Sequence, residues 1–212
     1  MDFSPSACYN ASKRRFASPQ PSLREGEDFK MVYILLGNGF ETIEALSPCD
    51  VLRRAGVQVH LVSVMDDLNV ISGQGVQVTA DCMINDVQFD KMDMLVLPGG
   101  LGGVRAIMSC DQAQLLIQRS SQEGKWIAAI CAAPTILAQL GLLDRRHCVV
   151  YPGMEEQMFS AVVLKGEQVV QDSRIITAEA AGSSIAFGLK LVEALRGAEA
   201  SEEVREGIHY HG

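Results

Sequence analysis

The stretch Lys125 to Thr135, KWIAAICAAPT, constrains this chain more than any other. Trp126, Ile127, Ala128, Ala129 and Ile130 form a short apolar run of the kind found in a fully buried strand. Cys131 follows at once. Pro134 suits the first turn of a helix, where its missing N–H has no intrahelical partner. Ile136, Leu137 and Leu140 continue at helical spacing, and Gly141 supplies a stop. Cys131 is therefore expected on a sharp strand-to-helix turn comparable to the nucleophile elbow of hydrolases. Free N–H groups and the helix dipole at such a turn favour a thiolate. The alternative is that Cys131 is one more small, buried apolar residue, as most free cysteines are.

The flanking sequence alternates strand and helix. MVYILLGNG (31–39) reads as a strand ending in a glycine turn, and Glu41 to Arg54 as a helix that Pro48 should kink or break. VQVHLVSV (57–64) is a second strand, Ile71 to Val78 a small hairpin, and MDMLVLPGG (92–100) a third core strand with glycines at its end. Ser109 to Glu123 reads as a helix capped by Ser109 or Asp111. Cys148 to Tyr151 is a short strand, and Val162 to Val170 a strand pair. RIITA (174–178) is the last core strand, and Ser183 to Leu195 an amphipathic helix. Such alternation builds an α/β fold with a mainly parallel central sheet and helices on both faces. Ligands then bind at the C-terminal ends of the strands.

Composition narrows the function classes. A net charge of −8 and the absence of a basic stripe argue against a nucleic-acid partner. No apolar run approaches the length needed to cross a membrane. Cysteines at 8, 49, 82, 110, 131 and 148 show neither CxxC nor zinc-ligand spacing, so no metal or other cofactor is expected. Free thiols fit a reducing compartment, and a cytoplasmic location is expected. Residues 1–29, rich in serine and proline and lacking hydrophobic periodicity, read as a flexible N-terminal tail ahead of one α/β domain over residues 30–212.

Three glycine-bearing turns fall at strand ends: Gly37-Asn38-Gly39, Pro98-Gly99-Gly100 and the Cys131 turn. LGNGFE lacks the third glycine of a dinucleotide fingerprint, and Glu41 would repel a pyrophosphate. Glu41 and Glu44 open the first helix, where acids also complement the positive helix end.

GNGFETIEAL, VLPGG, AAICAAPTILA and VVYPGMEEQM, in this order, resemble the ThiJ/PfpI superfamily and most of all its DJ-one/YajL-like branch. The resemblance runs from about Met31 to Arg196. It implies a flavodoxin-like three-layer sandwich, usually a homodimer, with the elbow cysteine at Cys131 facing a glutamate at Glu44. It also implies oxyanion donors in the backbone N–H groups of Gly100 and Ala132, a pocket bordered by Gly99 and Tyr151, and Asp50 near a dimer interface. Tyr151 stands where part of the family has a histidine. Glu179 stands in a turn that many relatives build around SRGPG or SQGPG, and Gln74 where an arginine is common.

A thiolate beside a second anion is electrostatically poor, so one of the pair should be neutral. The expectation is a thiolate Cys131 and a protonated Glu44. Such a cysteine attacks an aldehyde, the Gly100 and Ala132 amides hold the oxyanion, and Glu44 moves protons between the two carbons of a 2-oxoaldehyde. The substrate class is thus a small reactive carbonyl such as methylglyoxal, and the activity a glutathione-independent glyoxalase or deglycase. One rival is a redox sensor or chaperone in which Cys131 is oxidised without turnover. Another is a cysteine peptidase or glutaminase, which needs a histidine base; none of His60, His147, His209 and His211 is well placed for that.

Overall fold

Successive side chains of a strand point to opposite faces, and β1 (Met31–Leu36) uses both. Val32, Ile34 and Leu36 enter one apolar layer, Tyr33 and Leu35 the other. The computed structural model describes residues 30–212; the expected N-terminal tail lies outside the described residues. After β1 come α1 (Thr42–Arg54), β2 (Gln58–Ser63), β3 (Asn69–Ile71), β4 (Gln77–Thr79), β5 (Cys82–Met83), β6 (Met94–Leu97), α2 (Leu101–Met108) and α3 (Asp111–Gln122). Then follow β7 (Trp126–Ile130), α4 (Pro134–Gln139), β8 (His147–Cys148), β9 (Val162–Val163), β10 (Val169–Asp172), β11 (Ile175–Ala178), α5 (Ser184–Arg196) and α6 (Ala198–Gly207).

The main sheet has seven strands in the order β10-β11-β7-β6-β1-β2-β5, all parallel except the β10–β11 pair. One layer packs α1, α5 and α6 on the sheet through Ala45, Leu52, Phe187, Leu191 and Val204. The other packs α2, α3 and α4 through Val104, Ile107, Ile117, Ile136 and Leu137. The result is the three-layer, flavodoxin-like α/β sandwich expected from the strand–helix alternation. From β1 the chain builds outward first through β2, then on the other side through β6, β7 and β11. That reversal opens a crevice at the C-terminal ends of β1 and β6, the usual place for a ligand in such sheets.

Several details depart from expectation. Pro48 does not break α1, which is continuous from Thr42 to Arg54. Its flank is packed tightly by α5: a Cβ on Gly188 would lie 3.0 Å from Val51 Cβ and 3.1 Å from Pro48 Cα. The N-cap of α3 is Cys110, with no side-chain cap from Ser109 or Asp111. Val162–Val163 and Val169–Asp172 do not pair with each other; β9 joins β8, and β10 joins β11. Two helices, α2 and α6, stand where no helix was expected.

Among the described residues no helix is long and apolar enough to cross a membrane. The described cysteines 49, 82, 110, 131 and 148 are all free thiols.

Candidate active site

Cys131 directly follows β7 and holds a left-handed backbone, φ 64°, which costs a non-glycine residue energy and turns the chain sharply. The turn is pinned on both sides. Cys131 N–H donates to the Ala178 carbonyl at the end of β11 (2.9 Å), and Tyr151 N–H donates to the Cys131 carbonyl (2.8 Å). The elbow is present, but the helix behind it is modest. α4 has only six residues and starts at Pro134 after an intervening turn, so its dipole contributes less at the sulfur than expected.

Glu44 sits in the first turn of α1 with no solvent exposure at all. Its Oε2 accepts the Gly99 N–H at 2.9 Å. Its Oε1 is buried without a partner of ordinary hydrogen-bond geometry. The Cys131 thiol acts on the same carboxyl, at a looser geometry than a regular hydrogen bond. Burial pushes the Glu44 carboxyl up to about 7, against the opposing pull of the Cys131 thiol and the Gly99 N–H; Glu41 adds a small push upward.

Gly99 is what lets these groups meet. A Cβ there would lie 2.5 Å from Glu44 Oε2, 2.8 Å from Cys131 Cβ and 3.0 Å from the Ile130 carbonyl oxygen. Its neighbour Gly100 has φ 83°, and a Cβ there would strike the Glu41 nitrogen at 2.6 Å. The β6 end therefore lies directly on the start of α1, tied by Glu41 N–H donating to the Gly99 carbonyl at 3.0 Å. The N–H groups of Ala132 and Gly100 act on the Cys131 sulfur and pull its pKa down.

They do not prevail. Burial first, then the Glu44 carboxylate, push the Cys131 thiol up to about 12. Burial and the Glu44 carboxylate thus act against the expected thiolate, and the two N–H groups act for it. The pair gives up its first proton near pH 7 and its second well above that. A short helix and two N–H groups do not offset desolvation beside an anion.

The structure thus brings Cys131, Glu44, Gly99, Gly100 and Ala132 to one point. Tyr151 joins through its backbone, while its side chain is about half exposed (48%). Asp50 lies away from this point, on the solvent side of α1, paired with Arg54 at 2.7 Å. The histidines lie elsewhere too. His60 stacks on Tyr33 with ring centroids 5.4 Å apart, His147 faces Asp172 at 3.5 Å, and His209 and His211 follow α6. Sequence reasoning attached no role to Gln74 beyond noting its difference. In the structure its amide bridges the hairpin to α1, donating to Glu41 Oε2 (2.5 Å) and accepting from Thr42 N–H (3.2 Å) and Thr42 Oγ1 (2.7 Å).

An α/β sandwich with a cysteine on a strained elbow and a buried glutamate on the first helix defines a class of protein, and comparison with known proteins agrees. The model of the DJ-1/PfpI family matches residues 30–194, and the chain belongs to that family. It is 36% identical over 180 residues to protein dj-1beta of Drosophila melanogaster, covering 84% of this chain and 96% of that one. It is 31% identical over 159 residues to a glutathione-independent glyoxalase of Caenorhabditis elegans (75% and 84% covered). It is 32% identical over 167 residues to a deglycase of Pyrococcus abyssi (78% and 99% covered). The fold is similar to that of oxidized Toxoplasma gondii DJ-1, with a TM-score of 0.82, 33% identity, and 86% and 100% of the two chains covered.

Proposed function

We propose that this protein is a cysteine-dependent, glutathione-independent glyoxalase or deglycase acting on small 2-oxoaldehydes such as methylglyoxal. The observation that carries the reading is the buried Glu44 carboxyl, raised to about 7, against a Cys131 thiol that also receives the Gly100 and Ala132 N–H groups. A carboxyl that titrates near neutrality exchanges protons in both directions at working pH. The names of the C. elegans and P. abyssi relatives support the same class of chemistry.

The steps balance with these residues and water alone. The sulfur adds to the aldehyde carbon as Glu44 takes the thiol proton; an S–C bond forms and the carbonyl π bond breaks. The oxyanion, held by the Gly100 and Ala132 N–H groups, receives that proton from Glu44 and gives a neutral hemithioacetal. Glu44, again a carboxylate, removes the proton from the former aldehyde carbon, and the resulting enediol is protonated at the neighbouring carbon. The first carbon is now oxidised to a thioester and the second reduced to an alcohol. Water cleaves the thioester, releasing the 2-hydroxy acid and the free thiol. Lactate formed from methylglyoxal without glutathione, and lost in Cys131→Ala, is the expected result; equal lactate from both proteins would refute the reading.

A second reading, oxidation of Cys131 without turnover, is favoured by one observation: Cys131 is a partly exposed residue and none of the described cysteines is joined to it in a disulfide. An oxidised sulfur there would accept the Gly100 and Ala132 N–H groups. The hydrolase reading lacks its base, given where His60 and His147 lie.

We also propose a homodimer. Of the apolar side chains of α1, Val51 and Leu52 belong to the core. Leu46 remains half-buried and lines a depression with Ile185 of α5, itself 37% exposed, and Ile43 on α1 is 47% exposed. This α1–α5 face is the surface offered to a second copy.

A further inference from the structure

α1 lacks a cap of its own. Its N-cap residue, Glu41, makes no side-chain bond to the helix, although the first N–H groups of a helix have no intrahelical partner. The missing acceptor comes from the β3–β4 hairpin, where Gln74 Oε1 takes both the Thr42 N–H (3.2 Å) and the Thr42 hydroxyl (2.7 Å). Through the other end of the same amide, Gln74 Nε2 donates to Glu41 Oε2 at 2.5 Å. The hairpin is itself tied down here: the Ser72 hydroxyl donates to Thr42 Oγ1 (2.8 Å), Gly73 N–H to the Phe40 carbonyl (2.8 Å), and Gly39 N–H to the Ile71 carbonyl (2.7 Å). Glu44 lies one helical step beyond this junction.

We propose that Gln74 is a positioning residue for the Cys131–Glu44 pair: it caps α1 from the hairpin and fixes the Glu41 carboxylate, uncompensated by any cation on Gln74, where its charge acts on Glu44. A neutral amide satisfies the Glu41 oxygen without cancelling its charge. The groups acting on Glu44 are Cys131 from the elbow and Glu41 from the start of its own helix; the β6 end offers only the Gly99 backbone N–H, and Gln74 brings no charge. Residue 74 is thus the place where a change of charge reaches Glu44 through Glu41 without touching either reacting atom. The inference rests on Cys131 and Glu44 being the reactive pair, and alkylation of Cys131 tests it without requiring aldehyde turnover.

The experiment follows iodoacetamide labelling of Cys131 by peptide mass spectrometry from pH 5 to 9 in the full chain and in Gln74→Arg, Gln74→Glu, Gln74→Ala and Glu41→Gln. The wild-type rate should rise through a break near neutrality. Gln74→Arg and Glu41→Gln should both lower that break, and Gln74→Glu should raise it, each by about half a pH unit for one charge at this range. Gln74→Ala should release the Glu41 carboxylate, lower the break by less than Gln74→Arg does, and slow labelling several-fold as the helix start loosens. Breaks that coincide in the arginine, glutamate and wild-type proteins would overturn the proposal, and so would a Gln74→Ala that labels at the wild-type rate. Glu41→Gln leaves the hairpin sequence intact and decides the charge effect should a residue 74 variant fold poorly. A wild-type protein with no break at all would instead sink the Cys131–Glu44 pair, and the proposal with it.

Discussion

Gly99 donates its N–H to Glu44 Oε2 at 2.9 Å from a position where any side chain of its own would collide with that same oxygen, at 2.5 Å. The contact that orients the carboxyl therefore requires glycine. Gly99→Ala pushes against the end of the Glu44 side chain and against Cys131 Cβ, 2.8 Å away. Glu44 is the more mobile of the two and is displaced from the sulfur. Stability should fall by about 1–3 kcal/mol, as for other overpacked sites. Cys131 labelling and aldehyde turnover should fall at least tenfold, a loss larger than the change in melting temperature alone would give. Kinetics and a thermal melt on the same sample check this.

Glu44 makes stability depend on pH in a stated direction. Its carboxyl is ordinary in the unfolded chain, at 4.5, and raised to about 7 in the folded one. Between those values the folded state holds more protons than the unfolded state, so stability is fully present below 4.5 and declines as pH rises through about 7. The decline attributable to Glu44 is about 3 kcal/mol. Glu44→Gln, which cannot ionise, should lack it, and should gain on the wild type by that order on going from pH 4.5 to 7.5. Urea melts across this range measure the difference; parallel curves for the two proteins would place the ionisation elsewhere.

The same substitution separates the base from the thiol. With Glu44 present, the pair loses its first proton near pH 7 and the sulfur gains a neighbouring acceptor for its own. The Glu44→Gln protein has no carboxylate to take that proton, and burial holds the thiol above its usual range. The break in Cys131 labelling should therefore move from about 7 to above 8.5 in Glu44→Gln. Turnover of methylglyoxal should drop by roughly a hundredfold or more, the usual cost of losing an acid–base group.

Dimerisation is tested at Ile43, which is 47% exposed on α1 and absent from the core. Light scattering on the wild type should give twice the chain mass of 23.0 kDa, and Ile43→Glu should lower it without changing the circular dichroism. A wild-type mass of one chain would exclude the proposed dimer.

The sheet and the elbow were legible because they rest on local pattern: an apolar run, then Cys131, then Pro134. α2 was not, because Gly102 and Gly103 are poor helix formers. They are glycines for another reason: a Cβ on Gly102 would lie 2.7 Å from the Asn38 carbonyl oxygen, and one on Gly103 2.9 Å from Phe40 Cα. A helix packed this closely on a loop needs glycine in its interior, and sequence gives no sign of the partner. α6 was hidden by its polarity, with Val204 its one buried residue. Glu44 could be singled out only through the family resemblance, since an acid in a first helical turn is ordinary. Nothing in the sequence tells that this acid is wholly buried while Glu41, three residues earlier, is held at the surface by Gln74. The upward push on the Cys131 thiol was not legible because the desolvation behind it depends on the assembled pocket.

What sets Cys131 apart is the combination of partial exposure, a strained elbow and a carboxyl beside it. Cys49 and Cys148 are buried and pushed up to about 11 with no such group, while Cys82 and Cys110 are partly exposed but lack the Glu44 carboxyl. Graded peroxide on the folded protein, followed by peptide mass spectrometry of every cysteine, compares them directly. Cys131 should be oxidised first, at least tenfold faster than Cys82 or Cys110, and past the sulfenic stage. Oxidation of Cys131 at the same rate as Cys82 and Cys110 would contradict the assignment of the site.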